Sequence, residues 1–147
     1  NPGSATPGTP VRVGWTTGLA NILSVDTDGN VYMHDGSSAA VNVLSPAGTP
    51  SAITPKFNSA STAFNNIVAG ADGYVYATKD SRLFRAPNGS QDFTEVADVA
   101  AEMGVGYIAP KVGHVTADGT VYFTDGTAEV GAYSRTAAGA YTKHLGN

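Results

Sequence analysis

The chain contains no cysteine. That absence removes disulfides, cysteine-ligated zinc, thiol catalysis and iron–sulfur clusters together. It also removes the lipid-bearing cysteine of a bacterial lipoprotein. Charge is sparse: charged residues make up 14% of the chain, against about a quarter in an ordinary soluble domain. The 8 basic residues form no cluster and the net charge is −4. Nucleic-acid binding through phosphate neutralisation is therefore not expected, and there is no polybasic patch for an anionic membrane. No apolar run reaches the length of a membrane-spanning helix, so no membrane insertion is expected. The low share of Leu, Glu and Lys argues against a helical bundle.

What the chain has in abundance is glycine, 18 of 147 residues, with small polar residues between short apolar runs. That profile suits many short strands joined by turns. The first ten residues, NPGSATPGTP, cannot bury enough surface to offset the entropy of ordering them. They read as a flexible leader, 1–10, of the kind left by signal-peptide removal, which points to a secreted or cell-surface protein. The remaining 11–147 form one domain.

That domain repeats itself. The segments Asp28-Gly29-Asn30-Val31-Tyr32, Asp72-Gly73-Tyr74-Val75-Tyr76 and Asp118-Gly119-Thr120-Val121-Tyr122 share the pattern D-G-x-V-Y. Each follows a short apolar strand (22–25, 67–69, 112–115). Each precedes a polar turn, a third strand (41–44, 83–86, 130–134), a Gly-containing turn and a weaker fourth strand (52–54, 93–96, 140–143). Asp-Gly supplies the positive φ of a tight hairpin, and the Val, Ile, Tyr and Thr content fits a pleated surface. The continuous runs Val31-Tyr32-Met33 and Val121-Tyr122-Phe123 read as strands covered on both faces, with the three repeated tyrosines as packing residues whose hydroxyls are hydrogen-bonded. Val96, Val99, Ala100 and Met103 stand at helical spacing before Gly104, which predicts a short helix near 98–103.

Four strands per roughly 45 residues is the spacing of a β-propeller blade. The order of strand, D-G-x-V-Y strand, polar turn and strand resembles NHL-repeat and tachylectin-like propellers over residues 20–144. The Asn and Arg that usually follow the polar turn in NHL repeats are matched only by Arg82. The resemblance implies an all-β fold of three four-stranded antiparallel blades, at about 18–56, 63–99 and 108–144. Propellers close with four to eight blades. Three would leave apolar faces bare at both ends. The expected solution is oligomerisation, a homodimer forming a six-bladed ring, with Val11 to Trp15 completing a neighbour's last blade. The alternative is that the chain is a fragment of a larger propeller, or a subunit in a hetero-complex whose missing blades come from another protein.

Chemistry-bearing motifs are few. Asp28, Asp72 and Asp118 are explained by turn preference. Asp26-Thr27-Asp28-Gly29-Asn30 hints at calcium, but Gly29 is fourth rather than sixth and Ser37 stands where a Glu is needed. His34, His114 and His144 occupy different repeat positions and form no zinc pattern, so rim positions are expected for them. No G-x-S-x-G elbow is present, and Asn88-Gly89-Ser90 reads as a turn rather than a glycan acceptor. No cofactor, metal or catalytic residue is expected. The inter-blade and rim loops carry the candidate binding residues: Trp15, His34, Asp35, Asp80, Arg82, Tyr107, Lys111, His114 and Asp125. His114 is placed toward the central channel.

Two functional classes follow, with a third beside them. One is an exported, non-catalytic binding or scaffold module presenting loops to a protein or carbohydrate partner. Another is a propeller lyase or hydrolase, in which His114 would have to meet a carboxylate such as Asp35 or Asp125 in the channel. The third is a structural subunit of a larger surface complex.

Overall fold

A computed structural model describes residues 22–34, 39–57, 63–126 and 131–146. The leader, Trp15 and Asp35 lie outside the described residues. The described chain folds into three four-stranded antiparallel meanders. Sheet 1 holds β1 (Ile22–Val25), β2 (Val31–His34), β3 (Val41–Leu44) and β4 (Pro50–Ile53). Sheet 2 holds β5 (Asn66–Ala69), β6 (Tyr74–Lys79), β7 (Arg82–Pro87) and β8 (Thr94–Asp98). The helix α1 (Val99–Met103) then leads to sheet 3, with β9 (Pro110–Val115), β10 (Val121–Asp125), β11 (Ala132–Arg135) and β12 (Tyr141–Leu145). The first strands β1, β5 and β9 adjoin one another, and the sheets splay outward from them.

The D-G turns work as their chemistry requires. Gly29, Gly73 and Gly119 sit at φ of 83°, 85° and 78°, which glycine adopts without steric cost. In sheet 1 the Asp26 N–H donates to the Asn30 carbonyl at 3.0 Å and the Gly29 N–H to the Asp26 carbonyl at 3.1 Å. Thr116, Gly119 and Thr120 repeat the geometry in sheet 3. Sheet 2 keeps the first of these bonds, from the Gly70 N–H to the Tyr74 carbonyl at 2.7 Å, but changes the side chains. Gly70 takes the place of Asp26 and Thr116, and Asp72 leans into the space: a Cβ on Gly70 would stand 2.5 Å from Asp72 Oδ1.

The core lies between the sheets in two layers. Tyr32, Val41 and Val43 of sheet 1 pack on Ile67, Val75, Ala77 and Phe84 of sheet 2. Val68, Tyr76 and Leu83, on the other face of sheet 2, pack on Val112, Val121 and Phe123 of sheet 3. Sheet 2 is thus covered twice, as a continuous apolar strand run demands. Among the described residues sheet 3 is covered once: Val121 and Phe123 are buried, while Tyr122 between them is 41% exposed. That corrects the expectation that all three repeated tyrosines are packed. Tyr32 and Tyr76 are, at 1% and 2% exposure, because each has a following sheet to face; among the described residues Tyr122 has none.

Polar contacts fix how neighbouring sheets meet. The Asn66 carboxamide brackets β9, donating from Nδ2 to the Val112 carbonyl at 2.8 Å and accepting from the Val112 N–H at 3.1 Å. Ser24 Oγ accepts the Ala69 N–H at 2.9 Å. The Asn88 side chain donates to Thr27 and Asp28 across the first junction, and Gly89 stands at φ 75°, which supports the turn reading of Asn88-Gly89-Ser90. The short helix forms close to its expected span. Asp98 accepts the Ala101 N–H at 3.1 Å, and Gly104 caps the end at φ 68°.

Candidate functional site

The most elaborated surface lies at one rim, where the β6–β7 turn meets the start of α1 and the strand-free segment after it. A strand pair that turns in two residues needs an unusual backbone at one of them. Asp80 takes that role at φ 51°, the one positive φ outside glycine among the described residues, and aspartate tolerates this region better than most residues. The side chain of Asn65 holds the turn by donating to the Asp80 carbonyl at 3.0 Å. Ser81 ties the turn to the next connection: its carbonyl accepts the Val99 N–H at 2.9 Å, and its hydroxyl accepts the Ile108 N–H at 3.3 Å. These bonds bring Tyr107 over the turn.

The result is an open cleft of about 390 Å³, lined by Lys79, Asp80, Arg82, Glu95, Asp98 and Tyr107 among others. Arg82 pairs with Glu95 at 3.0 Å and with Asp98 at 3.5 Å. It remains half exposed, so the pairs orient the guanidinium more than they stabilise the fold. Lys79 is buried along its length with Nζ 5.6 Å from the centre of the Phe57 ring. Tyr107 is 61% exposed and Val105, two residues before it, 42%. An exposed aromatic ring thus stands beside a charged fork.

A second groove, about 360 Å³, follows the first strands where the three sheets converge. It is lined by Ser24, Asp26, Ala69 and His114 among others, so His114 does face the channel side. Asp26 shares the groove but its oxygens are taken by Asn30, Tyr32 and two backbone N–H groups. Burial pushes its carboxyl up, and the hydrogen bonds led by Asn30 outweigh that and hold it below the usual aspartate value. A carboxylate so committed is a poor proton acceptor.

The nine sequence-derived candidates thus separate. Asp80, Arg82 and Tyr107 line the rim cleft. Lys111 and His114 lie on β9, along a third and more apolar groove on sheet 3 that also holds Tyr122 and His144. His34 is 3% exposed, its ring centre 4.4 Å from that of Phe64, an interior position rather than the rim position expected of it. Asp125 sits opposite Pro110 and His114 opposite Tyr122, a separation of about 10 Å along the strands. The strand register therefore keeps Asp125 away from His114. Sequence reasoning missed Glu95 and Asp98. The signal was present in the strand pairing, since Arg82 stands opposite Asp98, but pairing is not visible before register is known. Among the described residues no group of three or more His, Asp or Glu side chains is placed to hold a metal, and no helix is long and apolar enough to cross a membrane.

The chain matches no protein-family model and no curated protein. Solved structures do resemble it. Virginiamycin B lyase from Staphylococcus aureus superposes with a TM-score of 0.53 at 17% identity, covering 82% of this chain and 39% of its own. A streptogramin B lyase gives 0.56 at 15% identity, covering 83% and 39%. A catalytically inactive His-to-Ala form of the Staphylococcus aureus enzyme with quinupristin gives 0.53 at 17%. The chain spans well under half the length of these proteins. At such identities the likeness is one of fold, and with three four-stranded antiparallel sheets radiating from adjoining first strands it shows that this chain is built of β-propeller blades.

Proposed function

We propose that the chain is a non-catalytic binding module, exported from the cell, that holds a polysaccharide strand in the rim cleft between Arg82 and Tyr107. The observation that carries this reading is the convergence of Asp80, Arg82 and Tyr107 from two separate connections onto one open cleft. Sugar rings offer apolar faces and a rim of hydroxyls. An exposed tyrosine ring supplies a stacking surface for the first, and a guanidinium flanked by carboxylates supplies donors and acceptors for the second. The kinship to NHL-repeat and tachylectin-like propellers belongs to the same proposal. The test is retention on insoluble cellulose, chitin and xylan. Tyr107→Ala and Arg82→Ala should each weaken retention about tenfold or more, the loss expected when one anchor of a site is removed. Retention on none of the three, or undiminished retention of both variants, overturns the proposal.

A second reading, a lyase or hydrolase acting in the central channel, is favoured by the activity named for the structural neighbours. His114 lines the convergent groove, but no uncommitted carboxylate among the described residues is paired with it there. Incubation of the chain with quinupristin, followed by liquid chromatography with mass detection, decides it: a new peak of unchanged mass with the parent chain, abolished by His114→Ala, would support a lyase, a peak heavier by one water a hydrolase, and an unchanged compound would end the reading.

A further inference from the structure

The two internal junctions obey one rule. The tyrosine of each D-G-x-V-Y strand faces the following sheet: Tyr32 meets sheet 2, where its hydroxyl accepts the Gly89 N–H at 3.1 Å, and Tyr76 meets sheet 3. The receiving face is formed by the valine one residue before the next tyrosine, Val75 in sheet 2 and Val121 in sheet 3, both buried. At the two ends of the row each half of this junction lacks its complement among the described residues. Sheet 3 presents Tyr122 with His114 and His144 on either side, the Tyr122 and His144 rings stacked with centres 5.9 Å apart. The groove they line, about 480 Å³, is almost wholly apolar. Sheet 1 presents Val31 and, paired with it, Leu44, both only partly buried, beside Met33 on the same side of β2, which is buried.

We infer that the Tyr122 face of sheet 3 binds the Val31–Leu44 face of sheet 1 in a second copy of this chain, so that two copies close head to tail into one ring. A second copy carries the complement already used twice within the chain, Val31 standing where Val75 and Val121 stand. Six blades fall within the range that closes. In the assembled ring Tyr122 is buried as Tyr32 and Tyr76 are, and the ends of both rows disappear. The inference is independent of what the rim cleft holds.

Sedimentation of the 147-residue chain is expected to give twice 14.9 kDa. Tyr122→Asp and Leu44→Asp, which place a charge on opposite halves of the junction, should each give monomers, with dissociation constants raised at least ~30-fold, as for a central interface anchor. Tyr122→Phe should remain a dimer, and far-UV circular dichroism should show all three variants folded. Mixing the two Asp variants provides the directional check. One of the two junctions is then intact, and a mixed dimer should reappear. A monomeric parent chain, a Leu44→Asp variant that still dimerises, or a mixture that stays monomeric overturns the inference.

Discussion

The smallest unit that explains the fold is a tyrosine hydroxyl meeting a turn carboxylate. Tyr76 donates to Asp72 Oδ2 at 2.7 Å and Tyr32 to Asp26 Oδ2 at 3.0 Å. The same bond is drawn from different positions of the two turns, because Gly70 leaves room for Asp72 to do what Asp26 does one repeat earlier. Tyr76→Phe keeps the ring and deletes the bond. It should cost about 1–2 kcal/mol, read as a lower denaturation midpoint in urea with unchanged slope. The hydroxyls also predict behaviour in alkali. Burial first, and the adjacent carboxylate next, raise Tyr76 from 10.0 to about 12, and Tyr32 and Tyr141 are raised likewise. Above pH 10 the unfolded chain ionises these phenols while the folded one still holds their protons, which favours unfolding. Their contribution is therefore whole below pH 10 and is lost between pH 10 and about 12. Urea midpoints measured across that window should fall steeply, and Tyr76→Phe should flatten the fall.

At the scale of elements, the helix α1 earns its place through one side chain. Glu102 accepts from Arg135 Nε at 2.9 Å and Nη2 at 3.3 Å, and from the Tyr141 hydroxyl at 2.8 Å. It thereby clamps the connection between sheets 2 and 3 onto the outer strands of sheet 3. Arg135 is 7% exposed, so Glu102→Ala leaves a nearly buried cation short of its partner. A loss of about 1–3 kcal/mol is expected, with Glu102→Gln losing less, both read from urea unfolding. Arg135, and next Tyr141, hold the Glu102 carboxyl below 4.5. This contribution is present above pH 4.5 and disappears as pH falls through the lower folded value. Element existence was legible beforehand: four strands per repeat, the D-G turns and the helix with its Asp98 and Gly104 caps all follow from local chemistry. Side-chain destinations were not. Tyr122 has the same local sequence as Tyr32 and Tyr76, and only the absence of a following sheet among the described residues sets it apart. His34, placed by its turn at the rim, instead lies against Phe64. Asp80, Arg82 and Tyr107 were legible as loop residues. Their convergence was not, because it depends on Ser81 joining two connections far apart in sequence.

Over the whole molecule, stability is expected to be graded from the middle outward. Among the described residues of a single copy, sheet 2 packs against a sheet on both faces, whereas sheets 1 and 3 each pack against a sheet on one, and β4 and β12 are largely exposed. Local opening follows such differences in buried contact. In the monomeric Tyr122→Asp variant, amide hydrogen exchange should therefore be slowest in β5, β6 and β7 and fastest in β4 and β12. Equal protection across all three sheets would contradict the packing order described here.

The bracket formed by Asn66 bears on how such an array tolerates change. Its carboxamide grips a peptide group of β9, not a side chain, and any residue with a free N–H and carbonyl can present that group. The joint between two blades is thus indifferent to much of the neighbour's composition. A modular assembly joined in this way can let its units drift apart in sequence, or exchange one unit for another, while the pitch of the stack stays constant.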